Sequence, residues 1–179
     1  MRIPEALIVV VVLGEVGGRV GHQAYSGGRA VLAGDGSQYI VGATRATTPT
    51  SAVLRLSASG VPTVLRLGTP RAGAAATWIA GRGLLVAGGS ADRPGAEILA
   101  DGASAFSAVP YPADPTTGAA VVATDADTAL RLGGHDAAGA PAPTVSLAVG
   151  CQSACQVAPA APDVALDGAQ AFTLADGAI

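Results

Sequence analysis

The 179-residue sequence contains no lysine and no asparagine, and only 13% of its residues are charged. Every one of its ten basic residues is an arginine, and these arginines are dispersed along the chain. Nucleic-acid binding requires clustered positive charge that neutralises phosphates. Since the formal net charge is −3 and no basic patch exists, the sequence predicts no nucleic-acid partner.

Aromatic side chains are also scarce, at 3% of the sequence, although half of the residues are hydrophobic. Alanine and valine supply most of that half, so each buried side chain adds little area to the core. The 25 glycines and 12 prolines are spread along the chain without the three-residue period of collagen. Residues of these types favour many turns between short strands. The composition therefore predicts an all-β fold with a thin, repetitive core.

No apolar run approaches the ~20 residues that a helix needs to cross a bilayer, so no membrane span is predicted. The run ALIVVVVL, from Ala6 to Leu13, follows Arg2 as the apolar core of a secretion signal would. Glu5 interrupts its start, and no clear small-x-small cleavage site follows it. We interpret residues 1–20 as an apolar N-terminal segment that is either a strand or signal-like.

The rest of the chain is organised by an internal repeat of four short strands. The segment RAGAAATWIAGRGLLVAGG is followed 45 positions later by TTGAAVVATDADTALRLGG, and SGGRAVLAGDGSQYIVGA precedes both. Each segment is read as two strands joined by a turn that carries Gly or Asp. Each ends in a pair of small residues, which are Gly42-Ala43, Gly88-Gly89 and Gly133-Gly134. In the first unit the third and fourth strands are predicted at Ala52 to Leu56 and Thr63 to Leu67.

Four short strands every 45 residues describe a blade of a β-propeller. We divide the chain into a degenerate blade at 21–67, blades at 68–113 and 114–163, and the start of another at 164–179. The fold prediction is thus an all-β propeller fragment of about three four-stranded antiparallel blades plus the start of a fourth. Because propellers close with typically 4–8 blades, we expect missing blades or self-association to complete it.

The glycine pairs carry a family resemblance. LLVAGG, from Leu84 to Gly89, and LRLGG, from Leu130 to Gly134, resemble the apolar strand closing on Gly-Gly in bacterial kelch and galactose-oxidase-type repeats. In that family the glycines are structural and allow close packing of the strand end. The first unit departs from the pattern at Ala43, and the Tyr and Trp that follow the glycines in well-formed kelch repeats are absent.

The resemblance implies a non-enzymatic module, exported by a bacterium to the periplasm or the extracellular space, whose loops bind a protein or a glycan. Loops on a rigid scaffold often carry binding sites. The polar residues after the glycine pairs are therefore the candidate ligand contacts, namely Arg45, Asp92, Arg93, His135 and Asp136. His135 is the best placed of them, because it directly follows a glycine pair.

The alternative within the same family is a fragment of a galactose-oxidase-like enzyme whose catalytic residues lie outside this chain. Copper oxidation of that kind needs Tyr and His ligands and a Cys crosslinked to Tyr, and no region shows that set. Metal sites usually gather three or more ligands, but the sequence has only two histidines and two cysteines. We assign no catalytic residue, metal or cofactor.

The two cysteines, Cys151 and Cys155, are spaced C-x3-C beside Gly150 and Ser153. Four residues of extended strand span about 13 Å, whereas disulfide-bonded Cα atoms are about 4.4–6.8 Å apart, so a bond requires a tight loop. A disulfide, which would indicate an oxidising compartment, is the favoured interpretation. A free thiol pair or half of a metal site remain the alternatives.

A second fold hypothesis concerns the N-terminus. In LIVVVVLGEVGGRVG, Gly14 and Gly17 match the second and third glycines of the dinucleotide-binding pattern G-x-G-x-x-G, and Asp35 lies near the position of its ribose-binding acid. Val12 occupies the place of the first glycine, and the following segment is too rich in glycine for a good helix. We therefore interpret this region as a strand and a glycine-rich turn.

Overall fold

The structure is a computed structural model in which residues 27–160 and residue 171 are described. These residues form thirteen β-strands and no helix. Every strand pair is antiparallel, and the strands fall into three successive sheets, none of which closes on itself. The prediction of an all-β fold is confirmed for the described residues. The predicted segment 1–20, the residues Gly14 and Gly17, and all of 164–179 except Ala171 lie outside the described residues.

Each sheet is a meander of four strands in chain order. Sheet 1 contains β1 (Arg29–Leu32), β2 (Gln38–Val41), β4 (Thr48–Leu56) and β5 (Pro62–Arg71), and β4 also pairs with the short β3 (Thr44–Arg45). Sheet 2 contains β6 (Ala75–Ile79), β7 (Gly83–Ala87), β8 (Ala96–Ala100) and β9 (Ser107–Val109). Sheet 3 contains β10 (Ala120–Ala123), β11 (Thr128–Leu132), β12 (Val145–Ala148) and β13 (Ala158–Pro159).

Sheet 1 differs from its prediction in two ways. β5 continues to Arg71, beyond the predicted end at Leu67, because its second half follows a register shift between Thr50 and Ala52 and pairs again with β4. The segment predicted as the first loop contains β3, so Arg45 lies in a strand and pairs with Thr48. The chain reverses between them through Ala46 and Thr47.

The sheets stack face to face through their first strands, since β6 contacts both β1 and β10. We call the two surfaces of each sheet face A and face B. Face B of sheet 1 packs on face A of sheet 2, and face B of sheet 2 packs on face A of sheet 3. The first contact joins Tyr39, Val41 and Val53 to Leu84, Val86 and Leu99; the second joins Leu85, Ala87 and Ala96 to Val121, Ala129 and Leu147.

The single tryptophan belongs to the first of these two contacts. Trp78, at the end of β6, stacks on Tyr39 of β2 with ring centroids 6.2 Å apart and planes inclined by 16°. The pair supplies much of the aromatic area in a core that is otherwise built from alanine, valine and leucine. Trp78 therefore reports on the junction of sheets 1 and 2.

The glycine pairs occupy positions where the chain has no room for a side chain. Gly88 adopts a φ of +77°, and a Cβ on it would lie 2.7 Å from the carbonyl oxygen of Thr116. In sheet 1 the second glycine is replaced by Ala43, and the space for its methyl group comes from Gly28 in the facing segment. Gly28 stands where units two and three have Ala74 and Ala119. The first unit thus exchanges its alanine and glycine.

Candidate functional site

The loops after β2, β7 and β11 lie at one end of the three sheets, because each follows the second strand of its meander. We call this end the glycine-pair end. It carries all five predicted contact residues. The side chains of Arg45, Asp92, Arg93 and Asp136 are exposed, and His135 is partly buried. The exposed members are available to an external partner.

The first loop is a tight hairpin between β3 and β4. Ala46 and Thr47, its two turn residues, have φ values of +46° and +71°. Two consecutive left-handed residues are what a type I′ turn requires, and glycine or asparagine normally fills them. A β-branched residue in this region is strained, so the backbone of the turn beside Arg45 adopts an energetically unfavourable conformation.

The second loop, between β7 and β8, has its backbone fixed and two side chains exposed. The backbone of Ser90 forms an isolated antiparallel β-bridge with that of Asp114. The Oγ of Ser90 accepts a hydrogen bond from the backbone N–H of Asp92 at 3.2 Å. The carbonyl oxygen of Arg93 accepts a hydrogen bond from the hydroxyl of Thr69 at 3.3 Å. Asp92 and Arg93 therefore project from a backbone that β5 and the following linker hold in place.

The third loop, between β11 and β12, is shaped by Asp136 itself. Its Oδ1 accepts hydrogen bonds from the backbone N–H groups of Ala138 at 2.8 Å and Ala140 at 2.9 Å. The backbone of His135 exchanges two 2.9 Å hydrogen bonds with Thr117, at the start of the third unit. Asp136 is thus exposed to solvent, and its carboxylate also stabilises the backbone of the loop.

A buried arginine braces the second loop. Arg71, at the end of β5, is fully buried, and all five N–H donors of its guanidinium are used. Its two Nη atoms donate to the carbonyl oxygens of Gly88 at 2.7 Å, Pro94 at 2.6 Å and Gly95 at 3.1 Å. These carbonyls stand at the start and the end of the loop, so one side chain ties both of its ends together.

The countercharge of Arg71 is Glu97, on face A of β8, whose side chain is 2% exposed. Its Oε1 accepts from the Nη2 and Nε atoms of Arg71 at 3.0 and 3.3 Å. Glu97 also accepts hydrogen bonds from two backbone N–H groups of β5, from Gly68 to Oε2 at 2.6 Å and from Thr69 to Oε1 at 3.2 Å. Burial of this pair is tolerable because charge and hydrogen-bonding groups are matched on both sides. We call Arg71, Glu97 and these backbone partners the sheet 2 clasp.

A second buried arginine braces the third loop from a different strand. Arg131 of β11 donates to the carbonyl oxygens of Gly133 at 3.2 Å and Pro143 at 3.4 Å, at the two ends of that loop. Its Nε lies 3.3 Å from Oδ2 of Asp114, an ion pair without hydrogen-bond alignment. Burial lowers the pKa of Arg131, and the nearby Asp114 charge opposes that shift. We call this set the sheet 3 clasp.

The sequence does not identify these four charged residues as a set. Arg71 and Arg131 enter the sequence analysis only as two of the ten dispersed arginines, and Glu97 and Asp114 are not singled out there. A signal existed, because Glu97 interrupts the apolar strand AEILA and Arg131 interrupts LRLGG. A charge inside an otherwise apolar strand is rarely buried without a partner. The partners lie up to 26 residues away, so spacing could not identify them.

A cavity of about 120 Å³ opens between sheets 2 and 3, beside the sheet 3 clasp. Tyr111 and Arg131 line it together with small apolar residues. The Tyr111 hydroxyl donates to the carbonyl oxygen of Ala148 at 3.2 Å and accepts from its N–H at 2.6 Å. Burial raises the pKa of this phenol. The Tyr111 hydroxyl in this mostly apolar wall is thus already engaged with the backbone of β12.

The opposite end of the sheets carries the disulfide. Cys151 and Cys155 are bonded, with an S–S distance of 2.02 Å and Cα atoms 5.9 Å apart. Cys155 is buried in the core between sheets 2 and 3. At this same end Arg82, in the turn after β6, pairs with Asp127, in the equivalent turn of sheet 3. The disulfide between Cys151 and Cys155 closes a short loop at the junction of sheets 2 and 3.

Two observations concern the metal and dinucleotide alternatives. Within 27–160 and residue 171, no group of three or more His, Cys, Asp or Glu side chains could hold a metal ion. Asp35 lies in the hairpin turn between antiparallel β1 and β2, whereas the dinucleotide interpretation needs a parallel sheet with a crossover helix. There its carboxylate accepts hydrogen bonds from the N–H and hydroxyl of Ser37.

No helix long and apolar enough to span a bilayer is present in the described part of the chain. No protein-family model matches the sequence, and no curated protein is significantly similar to it. The resemblance to kelch-like repeats therefore stays a prediction.

Proposed function

We propose that this chain is a propeller-type binding module, with kelch-like blades, that recognises a protein or a glycan through the loops of its glycine-pair end. The observation that carries the proposal is the pair of clasps. Buried guanidinium groups close the second and third loops at both ends, while Asp92 and Arg93 stay exposed at the tip of one of them. Rigid loops lose little conformational entropy when they bind.

The propeller part of the proposal is supported by the repeated geometry. Three four-stranded meanders follow one another, their first strands lie side by side, and the same pair of faces meets at both junctions. The repetition of one supersecondary unit with a buried face on each side is typical of blades. An exported location, periplasmic or extracellular, fits a chain that carries a disulfide.

The test is a binding screen with a matched pair of variants. The purified chain is applied to a printed glycan array and to an array of exported bacterial proteins. The loop variant is Asp92→Ser with Arg93→Ser; the control is Arg66→Ser with Asp101→Ser, which removes one exposed charge of each sign away from these loops.

We expect a bound ligand whose affinity the loop variant lowers at least about tenfold, since it loses charged contacts at the tip of a rigid loop. The control pair should bind as the parent chain does. Absence of binding on both arrays, or equal losses in the two variants, would contradict the proposal.

A further inference from the structure

The two junctions between sheets differ in how well their buried guanidinium groups are hydrogen-bonded. Arg71, at the junction of sheets 1 and 2, is fully buried, and every nitrogen atom of its guanidinium donates a hydrogen bond. The side chain of Arg131, at the junction of sheets 2 and 3, is only 6% exposed, but its Nε has no hydrogen-bond acceptor among the described residues. A buried donor of a charged group that lacks an acceptor is costly, so a native fold rarely keeps one without a use for it.

The cavity between sheets 2 and 3 lies beside this donor. Arg131 and Asp114 both line it, and Nε of Arg131 is 3.3 Å from Oδ2 of Asp114 without hydrogen-bond alignment. The other carboxylate oxygen, Oδ1, accepts a hydrogen bond from the backbone N–H of Thr116 at 3.1 Å. The cavity wall therefore presents a donor and an acceptor side by side that are not hydrogen-bonded to each other.

The charges of this pair indicate which ligand chemistry fits it. Arg131 and Asp114 carry opposite charges, so an ion in the cavity would be repelled by one of them as it is attracted to the other. A hydroxyl group suits both atoms, because its oxygen accepts from an N–H while its hydrogen is donated to a carboxylate. An oxygen atom about 2.8 Å from both closes a triangle on the 3.3 Å side, within ordinary hydrogen-bond lengths.

The rest of the cavity suits the carbon skeleton of such a ligand. Its wall includes the buried apolar side chains of Ala87, Ala96 and Leu147. Its volume of about 120 Å³ equals that of about four water molecules in the liquid, which accommodates one edge of a sugar ring. Two further lining residues, Ala113 and Val157, are exposed, so the cavity opens to solvent beside them and a larger molecule can extend outward.

We propose that this cavity binds a neutral saccharide, one hydroxyl of which accepts a hydrogen bond from Nε of Arg131 and donates one to Oδ2 of Asp114. The C–H groups of the same ring edge pack on the alanine and leucine side chains. Mostly apolar walls with a few converging polar groups are the usual construction of small-molecule sites. The lining includes neither Asp92 nor Arg93, so the inference does not rest on the proposed function.

The experiment is an NMR titration of the full chain that observes the Nε–H signals of its arginines. The probes are glucose, galactose and mannose, each added up to about 100 mM, because a ligand that buries only a few atoms binds with dissociation constants on the order of 1–10 mM. We expect at least one sugar to shift the Arg131 signal until it saturates. Arg131→Lys keeps the positive charge and lacks this N–H group, so the signal that it loses is that of Arg131.

Two variants test the polar contact and the entrance of the cavity separately. Asp114→Asn should raise the dissociation constant at least about tenfold, because the sugar hydroxyl loses a charged acceptor. Val157→Trp places a large side chain where the cavity opens and should weaken binding without altering either polar group, which keeps the test valid if Asp114→Asn does not fold. The matched control is Asp127→Asn, the same change in the exposed ion pair at the opposite end of the sheets, and it should bind as the parent chain does.

Three results would overturn the proposal. The first is the absence of a saturating shift with any of the three sugars, and the second is equal sugar affinity in Asp114→Asn, Val157→Trp and the parent chain. The third comes from sodium acetate as a charged probe. If acetate saturates the Arg131 signal at lower concentration than the sugars do, the cavity is an anion site.

The loop variant Asp92→Ser with Arg93→Ser separates this site from the proposed function. It should leave the sugar titration unchanged, because neither residue lines the cavity. A chain that binds sugars in the cavity but no ligand on the arrays would refute the proposed function and keep this inference. An array ligand that the loop variant loses, with an Arg131 signal that no sugar shifts, would do the reverse.

Discussion

The clasps of sheets 2 and 3 solve the same problem with opposite arrangements of charge. In both, a guanidinium donates to the carbonyl of the first glycine in the pair and to a carbonyl at the far end of the loop. In the sheet 2 clasp the arginine comes from the last strand of sheet 1 and the carboxylate from sheet 2. In the sheet 3 clasp the arginine belongs to the sheet, and Asp114 belongs to the connection.

The difference shows which part of the arrangement the fold requires. A glycine pair with positive φ turns its carbonyls into the space between two sheets, where they need a donor. An arginine from the sheet itself or from the segment before it can donate to these carbonyls. The carboxylate then lies next to the guanidinium, where it neutralises the buried charge. The degree of burial is the second difference: Glu97 is 2% exposed and Asp114 is 20% exposed.

The largest effect is expected from Glu97→Gln, which leaves the Arg71 charge buried without a counterion. Breaking a fully buried pair costs about 3–5 kcal/mol, so the free energy of unfolding should fall by that amount. Urea titration followed by Trp78 fluorescence measures it. Asp101→Asn, the same change at an exposed site, is the control. Equal losses in the two variants would show that the sheet 2 clasp does not stabilise the fold.

A smaller loss is expected when the whole pair is replaced, as in Arg71→Met with Glu97→Leu. Apolar replacement of a buried ion pair is often neutral. Here the carbonyls of Gly88 and Pro94 lose the guanidinium as a donor, whereas that of Gly95 keeps the N–H of Gly88. Each unsatisfied buried group costs about 1–3 kcal/mol. We expect the double variant to remain at least about 2 kcal/mol less stable than the parent chain in the same urea titration. Parental stability would mean that Arg71 serves only as the partner of Glu97.

Asp114→Asn should cost only about 1 kcal/mol, because the Asp114 side chain is 20% exposed and water already weakens its attraction to Arg131. The loss should shrink further in 1 M NaCl, where the Debye length is about 3 Å. Unfolding titrations at low and high salt measure both effects. The comparison of the two clasps fails if Asp114→Asn costs as much as Glu97→Gln.

The smallest effect belongs to the exposed pair of Arg55 and Asp35, whose charged atoms are 3.1 Å apart. Hydrogen bonds from the N–H and then the hydroxyl of Ser37, with the nearby Arg55 charge, lower the pKa of Asp35 below its ordinary 3.8. The contribution of the ionised Asp35 carboxylate to the stability of the fold is therefore present above pH 3.8, and it is lost as the pH falls through the lowered pKa. Titration of the Asp35 carboxyl by NMR measures the shift, which Ser37→Ala should reduce but not abolish, because the backbone N–H of residue 37 still donates to the carboxylate; an unchanged titration would contradict the contribution of the hydroxyl.

Much of the backbone could be predicted because it depends on local properties. The period of about 45 residues, the glycine pairs and the turns carrying Gly or Asp determine where strands end, since few residue types tolerate a positive φ. The strands Ala75–Ile79 and Gly83–Ala87 lie almost where the pattern places them. β3 was missed because Ala46 and Thr47 are poor residues for a type I′ turn, and nothing else in the sequence marks that hairpin.

The sequence by itself determined an all-β chain of repeated four-stranded units and the residues that form its exposed loops. Only the tertiary structure decided that Arg71 and Arg131 are buried, which carbonyls they bind, and which face of each sheet is covered. Strand patterns depend on neighbours along the chain, whereas a buried charge is stable only where residues distant in sequence bring its partners within hydrogen-bond distance.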